Sequence, residues 1–316
     1  MRSFDPDSAA AEGSGIFGLP FTEKESALVL LPVPWEATAS YGKGTAKGPA
    51  AVLAASRQID LFDPEVEKPY EPGIFMRPER LWSRKASGDE LNAWVRGQAK
   101  ALMGRGKIAG IVGGEHSVPF GAFQAAAETF GSYGLLHFDA HSDTRDAYEG
   151  FQWSHASIMR NAMERIPRIE KLLQVGIRDY CGQEEAFLRG LGKRAEVFFS
   201  HELARRRFVG KPFADTAKEI VSRLPKQVWV SFDIDALDPS LCPHTGTPVP
   251  GGLGFEEACF ILSTLARSGR RILGFDLVEV APAPGGKDEW DANVGMRILY
   301  KLAAWTFVSR GLRKPR

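Results

Sequence analysis

The sequence predicts an α/β protein: a three-layer α/β/α sandwich around a mostly parallel sheet of about eight strands. Short apolar runs alternate with longer helix-like segments along most of the 316 residues. The runs are continuously apolar, which is typical of parallel strands that are covered on both faces. No linker, repeat or low-complexity stretch interrupts residues 20–310, so we expect a single domain over 1–316. A closed barrel of βα units would show the same alternation and stays an alternative.

The first half of the chain contains three predicted strands and three predicted helices. The strands are the apolar runs 27–33, 108–112 and 135–138. The helices cover 49–59, 87–104 and 119–130. Pro49 suits a first helical turn, because the N–H that proline lacks has no helical partner there. Ser87 and Glu90 have the spacing of a capping box, in which each side chain bonds the backbone of the other residue.

The second half of the chain repeats the alternation of strands and helices. Its predicted strands are 172–177, 196–199, 228–232 and 272–278. The first of its predicted helices begins near Ala156, and the others cover 183–191, 213–224, 255–268 and 290–306. A helix between consecutive parallel strands forms a right-handed crossover, so the pattern places helices against the faces of the sheet.

Composition and charge exclude several classes of protein. The formal net charge is +1, from 40 basic and 39 acidic residues, so no global field favours nucleic acid or an anionic membrane. No segment approaches the roughly 18 apolar residues of a membrane span. We expect an N-terminal arm over 1–20, without the apolar core of a signal peptide, and a basic, solvated tail over 308–316.

The cysteines bear on redox chemistry and on zinc. Cys181, Cys242 and Cys259 are odd in number and have no Cys-x-x-Cys spacing. This argues against a disulfide framework and against a thiolate zinc site. The expected location is therefore a reducing compartment, the cytoplasm.

Potential metal ligands follow three of the predicted strands, at the point where each strand ends. They are two imidazoles and four carboxylates: His116 after 108–112, Asp139, His141 and Asp143 after 135–138, and Asp233 and Asp235 after 228–232. The carboxyl ends of parallel strands meet at one edge of a sheet, so we expect these side chains to converge. A single Asp-x-Asp or histidine is more often a cap or a satisfied polar residue. The joint pattern of three strand ends predicts a metal site.

The charges favour two divalent cations. Four carboxylates cannot ionise together in a cleft unless cations lie between them, and four negative charges balance two divalent ions. Oxygen-rich ligands with imidazole and no thiolate suit Mn²⁺, with Co²⁺, Ni²⁺ or Fe²⁺ as alternatives and Zn²⁺ less favoured. Two metals roughly 3.5–4 Å apart would activate a shared water near neutral pH.

Longer blocks of sequence surround these ligands. They are 113–117, 138–143, 231–239, 245–248 and 276–282. On these blocks, and in their order within residues 27–305, the chain resembles the ureohydrolase superfamily of arginases, agmatinases and formimidoylglutamases. The resemblance implies an arginase-like three-layer fold, a homo-oligomer (trimer or hexamer) and a binuclear Mn²⁺ centre. By that pattern one ion is held by His116, Asp139, Asp143 and Asp233, and the other by Asp139, His141, Asp233 and Asp235.

The resemblance also implies two catalytic residues. Glu279 matches the carboxylate that binds the guanidinium of the substrate, and His155 matches the proton-shuttling histidine. The implied reaction is hydrolysis of a guanidino group to urea and a primary amine. The chain departs from the family pattern where Ala156 and His244 replace usual glycines, and we expect both changes to reshape the pocket rim.

Several residues bear on the substrate. Cys181 stands where arginases have an aspartate that reads the α-amino group, which argues against arginine. The loop around Asp146 and Glu149 resembles agmatinases, and its carboxylates could attract a distal ammonium or simply be solvated. The prediction is therefore agmatine, hydrolysed to putrescine and urea. Arg145 and Arg178 could instead serve a distal carboxylate, so guanidinobutyrate and formimidoylglutamate stay open.

Two other classes of function compete with this prediction. A metal-dependent deacylase on a related fold would need a single metal, and Asp143, Asp235 and the His116 block argue against it. A non-catalytic relative would usually have lost a metal ligand. None is lost here, although Ala156 and His244 keep that alternative open.

Overall fold

The computed structural model describes residues 4–11, 13–83, 85–286 and 288–316. Within them, one sheet of eight strands forms the middle layer. The strands are β1 Leu28–Val33, β2 Ile74–Met76, β3 Ile108–Gly113, β4 Tyr133–Phe138, β5 Ile169–Val175, β6 Ala195–Phe198, β7 Gln227–Asp233 and β8 Arg271–Val278. Their order is β2-β1-β3-β8-β7-β4-β5-β6, and all neighbouring pairs are parallel. The outer strands do not pair with each other, so the barrel alternative is wrong and the predicted open sheet is confirmed.

Helices follow most of these strands. Those in the described residues are α1 Gly48–Ala55, α2 Gly88–Gly104, α3 Phe120–Phe130, α4 Ile158–Arg165, α5 Gly182–Gly190, α6 Ser200–Phe208, α7 Phe213–Ser222, α8 Phe255–Arg267 and α9 Trp290–Ser309. The capping box predicted at Ser87 begins α2, because Ser87 Oγ accepts from the Glu90 amide at 3.2 Å and Glu90 Oε2 accepts from the Ser87 amide at 2.9 Å. The helix expected near Ala156 begins as a single 3₁₀ turn, His155–Ser157, before α4.

Two elements were not predicted from the sequence. Strand β2 has only three residues and lies between Pro72 and Pro78, so its apolar run is too short to stand out. Helix α6 is mostly polar, and Leu203 is its one buried residue. A helix without an apolar stripe has no period that a sequence pattern reveals.

The sheet separates two apolar cores, which makes the three layers. Along β1, Leu28 and Leu30 face one core while Val29 and Leu31 face the other, as the alternation of side chains in a strand requires. The first core contains side chains of α1, α7, α8 and α9. The second contains side chains of α2, α3 and α4. Both faces of the central strands are therefore buried, which explains their continuous hydrophobicity.

The chain ends pack against the body of the protein. The tail expected over 308–316 has exposed residues but is also bonded to the body, because the Arg316 amide donates to Glu65 O at 2.8 Å and the Glu67 amide donates to Lys314 O at 3.0 Å. In the arm predicted over 1–20, residues 1–3 and 12 lie outside the described residues. Phe17 in that arm is buried and its amide donates to Ser56 Oγ at 2.9 Å. Among the described helices, none is long and apolar enough to cross a bilayer.

Candidate metal centre

The four central strands bring the predicted residues to one edge of the sheet. Strands β3, β8, β7 and β4 are consecutive neighbours. His116 follows β3 by three residues, Asp139 follows β4 directly, Asp233 ends β7, and Glu279 follows β8 directly. The convergence at the carboxyl ends of parallel strands is therefore present.

The first cluster surrounds one nitrogen of His116. His116 Nδ1 lies 3.0 Å from Asp139 Oδ2, 3.3 Å from Asp143 Oδ2 and 3.2 Å from Asp233 Oδ2. All four side chains are buried. Their ligand atoms form a compact set of one nitrogen and three oxygens, which a divalent cation such as Mn²⁺ would fit.

The second cluster surrounds His141. His141 Nδ1 lies 3.0 Å from Asp235 Oδ2 and 3.5 Å from Asp139 Oδ1. Asp139 thus presents one carboxylate oxygen to each cluster. Backbone amides hold the carboxylates in place: Ala140 N donates to Asp235 Oδ1 at 3.0 Å, and Asp235 N donates to Asp233 Oδ1 at 2.9 Å.

A chain of hydrogen bonds sets the tautomer of His116. Trp229 Nε1 donates to Asp276 Oδ2 at 2.7 Å, and Ser231 Oγ donates to Asp276 Oδ1 at 2.8 Å. Because the one hydroxyl hydrogen of Ser231 is used in this way, its oxygen accepts from His116 Nε2 at 2.9 Å. The lone pair of neutral His116 Nδ1 then points at three carboxylate oxygens, an arrangement that a cation between them would stabilise.

His137 supports the same cluster and was not predicted as a site residue. Its Nε2 lies 2.8 Å from Asp139 Oδ2. Gln174, its partner across the sheet, donates from Nε2 to His137 Nδ1 at 3.0 Å, so His137 Nε2 carries the hydrogen and donates to Asp139. The only sequence signal for this role is a histidine inside an otherwise apolar strand.

Charge repulsion at the centre perturbs its titratable groups. Burial, together with the nearby Asp139 charge, raises the pKa of Asp143 to about 7. Burial and the Asp235 charge raise the pKa of Asp233 well above its usual value. Although burial alone would lower it, the Asp235 and Asp139 carboxylates raise the pKa of His141 to about 12. The pKa values of all three groups are raised, which indicates a surplus of buried negative charge that bound cations would neutralise.

Glu279 stands next to the first cluster in a strained backbone conformation. Its φ is 61°, and that of Asp143 is 55°, in the left-handed region that non-glycine residues rarely adopt. Glu279 Oε1 accepts from the His116 amide at 2.8 Å, and its carbonyl accepts from Thr245 Oγ1 at 2.8 Å. Burial and the Glu115 charge raise the pKa of Glu279 well above its usual range. Strain of this kind is concentrated at functional sites.

A cavity of about 120 Å³ opens beside the second cluster. Its lining includes His141, Asp143, Arg145, Tyr148, His155, Ala156, Asp179 and Thr247. His155 approaches Thr38 Oγ1 with its Nδ1, at 3.1 Å. Burial lowers the pKa of His155 to about 4, and the nearby His141 and His116 rings add to this when they are protonated in the metal-free protein. The cavity therefore joins the metal-ligand clusters to the predicted proton shuttle.

The two acidic residues expected to attract a substrate lie away from this cavity. The Asp146 side chain is 81% exposed and lies 3.5 Å from Arg160 Nε. Glu149 is exposed in a left-handed conformation, with φ 50°. Neither is among the lining residues, so the solvated-loop interpretation describes them better.

The two arginines considered as contacts for a distal carboxylate differ in their surroundings. Arg178 donates to the carbonyls of Val249, Asp235 and Leu237 at 2.8–3.2 Å, so it holds loops together and does not line the cavity. Arg145 does line the cavity. Its guanidinium lies 4.9 Å from the Tyr148 ring centroid, and its Nε lies 3.8 Å from Glu184 Oε2.

Three residues depart from the pattern of the family that the sequence resembles, namely Ala156, Cys181 and His244. Ala156 lines the cavity. The Cys181 amide donates to Glu184 Oε2 at 2.9 Å at the start of α5. His244 Nδ1 lies 2.7 Å from Oδ2 of buried Asp291, which connects its loop to the first turn of α9.

The chain is similar to known proteins over most of its length. Residues 26–304 match the model of the Arginase family. The N(1)-aminopropylagmatine ureohydrolase of Thermus thermophilus is 36% identical over 262 residues, which cover 82% of this chain and 84% of that protein. The agmatinase of Bacillus anthracis is 28% identical over 287 residues, which cover 89% of this chain and 93% of that protein.

Solved structures show the same fold. Proclavaminate amidino hydrolase from Streptomyces clavuligerus has a TM-score of 0.83 and 24% identity, and the match covers 96% of this chain and 99% of that one. Arginase-family enzymes depend on a binuclear metal centre, for which the two clusters around Asp139 are candidate ligands. The chain therefore belongs to the arginase family and is a ureohydrolase, a hydrolase that acts on guanidino groups.

Proposed function

We propose that this enzyme hydrolyses the guanidino group of a substrate with a distal amine, agmatine first, to urea and a primary amine. Two Mn²⁺ ions are the proposed cofactors, with Co²⁺, Ni²⁺ or Fe²⁺ as alternatives. Their proposed ligands are His116, Asp139, His141, Asp143, Asp233 and Asp235. The observation that carries the proposal is the pair of imidazole–carboxylate clusters that share the two oxygens of Asp139. A single-metal deacylase would not need the second cluster.

The bound ions would supply an activated water and stabilise the oxygen that gains charge during attack. Glu279 is proposed to hold the guanidinium from its buried position beside the first cluster, behind the residues that line the cavity. Its Oε1 is fixed by the His116 amide, and its Oε2 points towards the backbone of Gly246. A carboxylate held in this way would accept charge-assisted hydrogen bonds from the planar cation and orient its carbon towards the ligand clusters. The cation would also favour the ionised form of the buried carboxylate.

His155 is proposed to shuttle a proton: its neutral Nε2 would accept the proton released as water attacks the guanidinium carbon, and would then pass it to the departing amine. It lines the same cavity as His141 and Asp143, and its Nδ1 is occupied by Thr38. Nε2 is therefore the nitrogen left for the reacting groups. Proton transfer by a positioned histidine contributes about 10²–10⁴-fold to a reaction rate.

The charges around the cavity support a cationic substrate tail. The Asp179 side chain is 68% exposed, and among the described residues no lysine or arginine approaches it within 4.0 Å. Among the described residues that line the cavity, Arg145 is the one lysine or arginine that would favour a substrate carboxylate, and Glu184 offsets its charge at 3.8 Å. The balance favours a distal ammonium over the carboxylate of guanidinobutyrate or formimidoylglutamate.

N(1)-aminopropylagmatine is the second candidate substrate. The Thermus thermophilus relative with 36% identity bears that name, whereas the agmatinase of Bacillus anthracis is 28% identical. Both compounds carry a guanidino group and a distal amine, so one site chemistry serves both. The aminopropyl extension would add a further ammonium near the cavity mouth.

The test is urea release by the Mn²⁺-loaded protein from agmatine, N(1)-aminopropylagmatine, arginine and guanidinobutyrate, with formimidoylglutamate followed by formamide release. We expect the highest kcat/KM with one of the two amines. Asp233→Asn should abolish turnover and lower bound metal, while Asp215→Asn, an exposed position on α7, should match the wild type. Preference for an acid would reject the proposed substrate class, and silence with two bound metals would reject agmatine and N(1)-aminopropylagmatine as substrates.

The proposal extends to the state of the protein in the cell. We propose a cytoplasmic homo-oligomer, a trimer or hexamer, that acts on a small guanidino substrate and binds neither nucleic acid nor membrane. All three cysteines are free, which suits a reducing compartment. Sedimentation of the Mn²⁺-loaded protein tests the assembly, and a monomer at micromolar concentration would contradict it.

A further inference from the structure

We propose that Thr38 is a positioning residue, which holds His155 in the tautomer with its hydrogen on Nδ1 and leaves Nε2 for proton transfer. The inference rests on the proposed role of His155. Thr38 lies in the loop after β1, far from His155 in sequence, and both residues were brought together only by the fold. Thr38 is not itself one of the residues that line the cavity, and it contacts the lining through His155.

The hydroxyl of Thr38 meets three polar atoms. Thr38 Oγ1 lies 2.9 Å from Glu115 Oε1, 3.1 Å from His155 Nδ1 and 3.2 Å from the His155 amide nitrogen. The amide donates only, so it uses one lone pair of the hydroxyl. The single hydroxyl hydrogen must then go either to Glu115 or to His155.

The surroundings of Glu115 favour the first choice. This carboxylate is 1% exposed. Its Oε1 also accepts from Ser117 Oγ at 2.6 Å, and its Oε2 accepts from the Thr38 amide at 2.7 Å. A Thr38 hydroxyl turned to His155 would leave two acceptor oxygens facing each other at 2.9 Å without a hydrogen between them. With the hydroxyl turned to Glu115, its second lone pair accepts Nδ1–H of His155.

The backbone holds this arrangement rigidly. The Glu115 amide donates to Trp35 O at 2.9 Å, and the Gly114 amide donates to Val33 O at 2.9 Å. A Cβ atom on Gly114 would overlap the Trp35 carbonyl, so only glycine allows the loop after β1 to approach so closely. The Thr38–Glu115 pair is therefore built into the same turn that presents His116.

The arrangement bears on proton transfer in two ways. It keeps Nε2 of neutral His155 free of hydrogen, and it gives the imidazolium a path of hydrogen bonds from Nδ1 through Thr38 to a carboxylate. A histidine oriented by a hydroxyl and a carboxylate would stay aligned with the leaving group. Because Thr38 acts only through His155, its substitution should have little effect once His155 has been removed.

The first experiment is a double-mutant cycle with agmatine or whichever compound the wild type hydrolyses. We expect Thr38→Val to lower kcat about tenfold, with KM and bound Mn²⁺ unchanged, and Thr38→Ser to restore it. In a His155→Ala background, Thr38→Val should add less than a twofold loss. Thr45→Val is the matched control, because Thr45 is buried in the same segment and bonds Glu36. Equal losses in both backgrounds, or an equal loss in Thr45→Val, would overturn the inference.

The second experiment does not depend on turnover. Neutron diffraction from deuterium-exchanged crystals of the Mn²⁺-loaded protein at pH 8 locates the hydrogens of His155 and Thr38 directly. We expect a deuteron on His155 Nδ1 and a Thr38 deuteron directed at Glu115. A Thr38 deuteron directed at Nδ1 refutes the inference. A protein that hydrolyses no guanidino compound refutes the proposed function instead, while the neutron result still decides the hydrogen-bond assignment.

Discussion

Removal of the Ser231 hydroxyl tests whether the protein prepares His116 to bind a cation. Ser231 is completely buried in β7 and links His116 Nε2 to Asp276 Oδ1. In Ser231→Ala both of those atoms lose a partner. They lie 3.9 Å apart, too far for a direct hydrogen bond. Asp276 keeps its bond from Trp229 on the other oxygen and a bond from the Phe232 backbone.

The expected loss of stability in Ser231→Ala follows from the burial of the two atoms that lose a partner. Each unsatisfied buried polar group costs about 1–3 kcal/mol, and a small shift of His116 towards Asp276 would recover part of that, so we expect a loss of about 2 kcal/mol in unfolding free energy. Burial raises the pKa of Asp276 to about 6, and loss of the Ser231 hydrogen bond should raise it further. Loss of a partner that orients a metal-binding histidine lowers metal affinity about 10–100-fold.

The assay is competitive Mn²⁺ titration against a fluorescent chelator at pH 7.5, with urea denaturation of the metal-free protein beside it. Ser263→Ala is the matched control, since Ser263 is buried in α8 and donates to Phe260 O at 2.9 Å, away from the site. We expect Ser231→Ala to lose affinity and the control to keep it. Wild-type affinity in Ser231→Ala would refute the argument that this hydroxyl sets the tautomer of His116.

Further predictions concern packing, thiols and substrate charge. Gly114→Ala should abolish Mn²⁺ binding, because the added Cβ would overlap the Trp35 carbonyl in the loop after β1. Gly97→Ala is placed in open space on α2 and should raise the free energy of unfolding by about 0.5–1 kcal/mol. Burial raises the pKa of Cys259 to about 12 from 9.0, so iodoacetamide at pH 8.5 should label half-buried Cys181 first. The pKa of the Cys259 thiol is higher in the folded protein than in the unfolded chain. The contribution of Cys259 to the free energy of unfolding should therefore be complete below pH 9 and lost towards pH 12, as urea melts would show. Asp179→Asn should lower kcat/KM for agmatine about threefold and leave guanidinobutyrate unaffected, and equal losses for both compounds would contradict a role in reading charge.

The sequence by itself determined the class of fold and the residues that converge. Buried parallel strands are continuously apolar, and a ligand directly after such a strand must lie at the carboxyl edge of the sheet, so Asp139 and Asp233 were predictable from local pattern alone. The capping box at Ser87 is equally local and lies where the pattern placed it. Strand β2 and helix α6 were missed because their stability comes from neighbours and not from a periodic apolar face of their own.

Only the tertiary structure decided the order of the strands and the partners that orient the site. Local pattern cannot show that β8 lies between β3 and β7, and this order brings Asp276 and Ser231 behind His116. Arg178 reads as a substrate contact in the sequence, yet the fold surrounds it with backbone carbonyls. The bond between Thr38 and His155 joins loops of two distant strands. Hydrogen bonds of this kind depend on which chain segments the sheet makes neighbours, and that is a property of the whole packing.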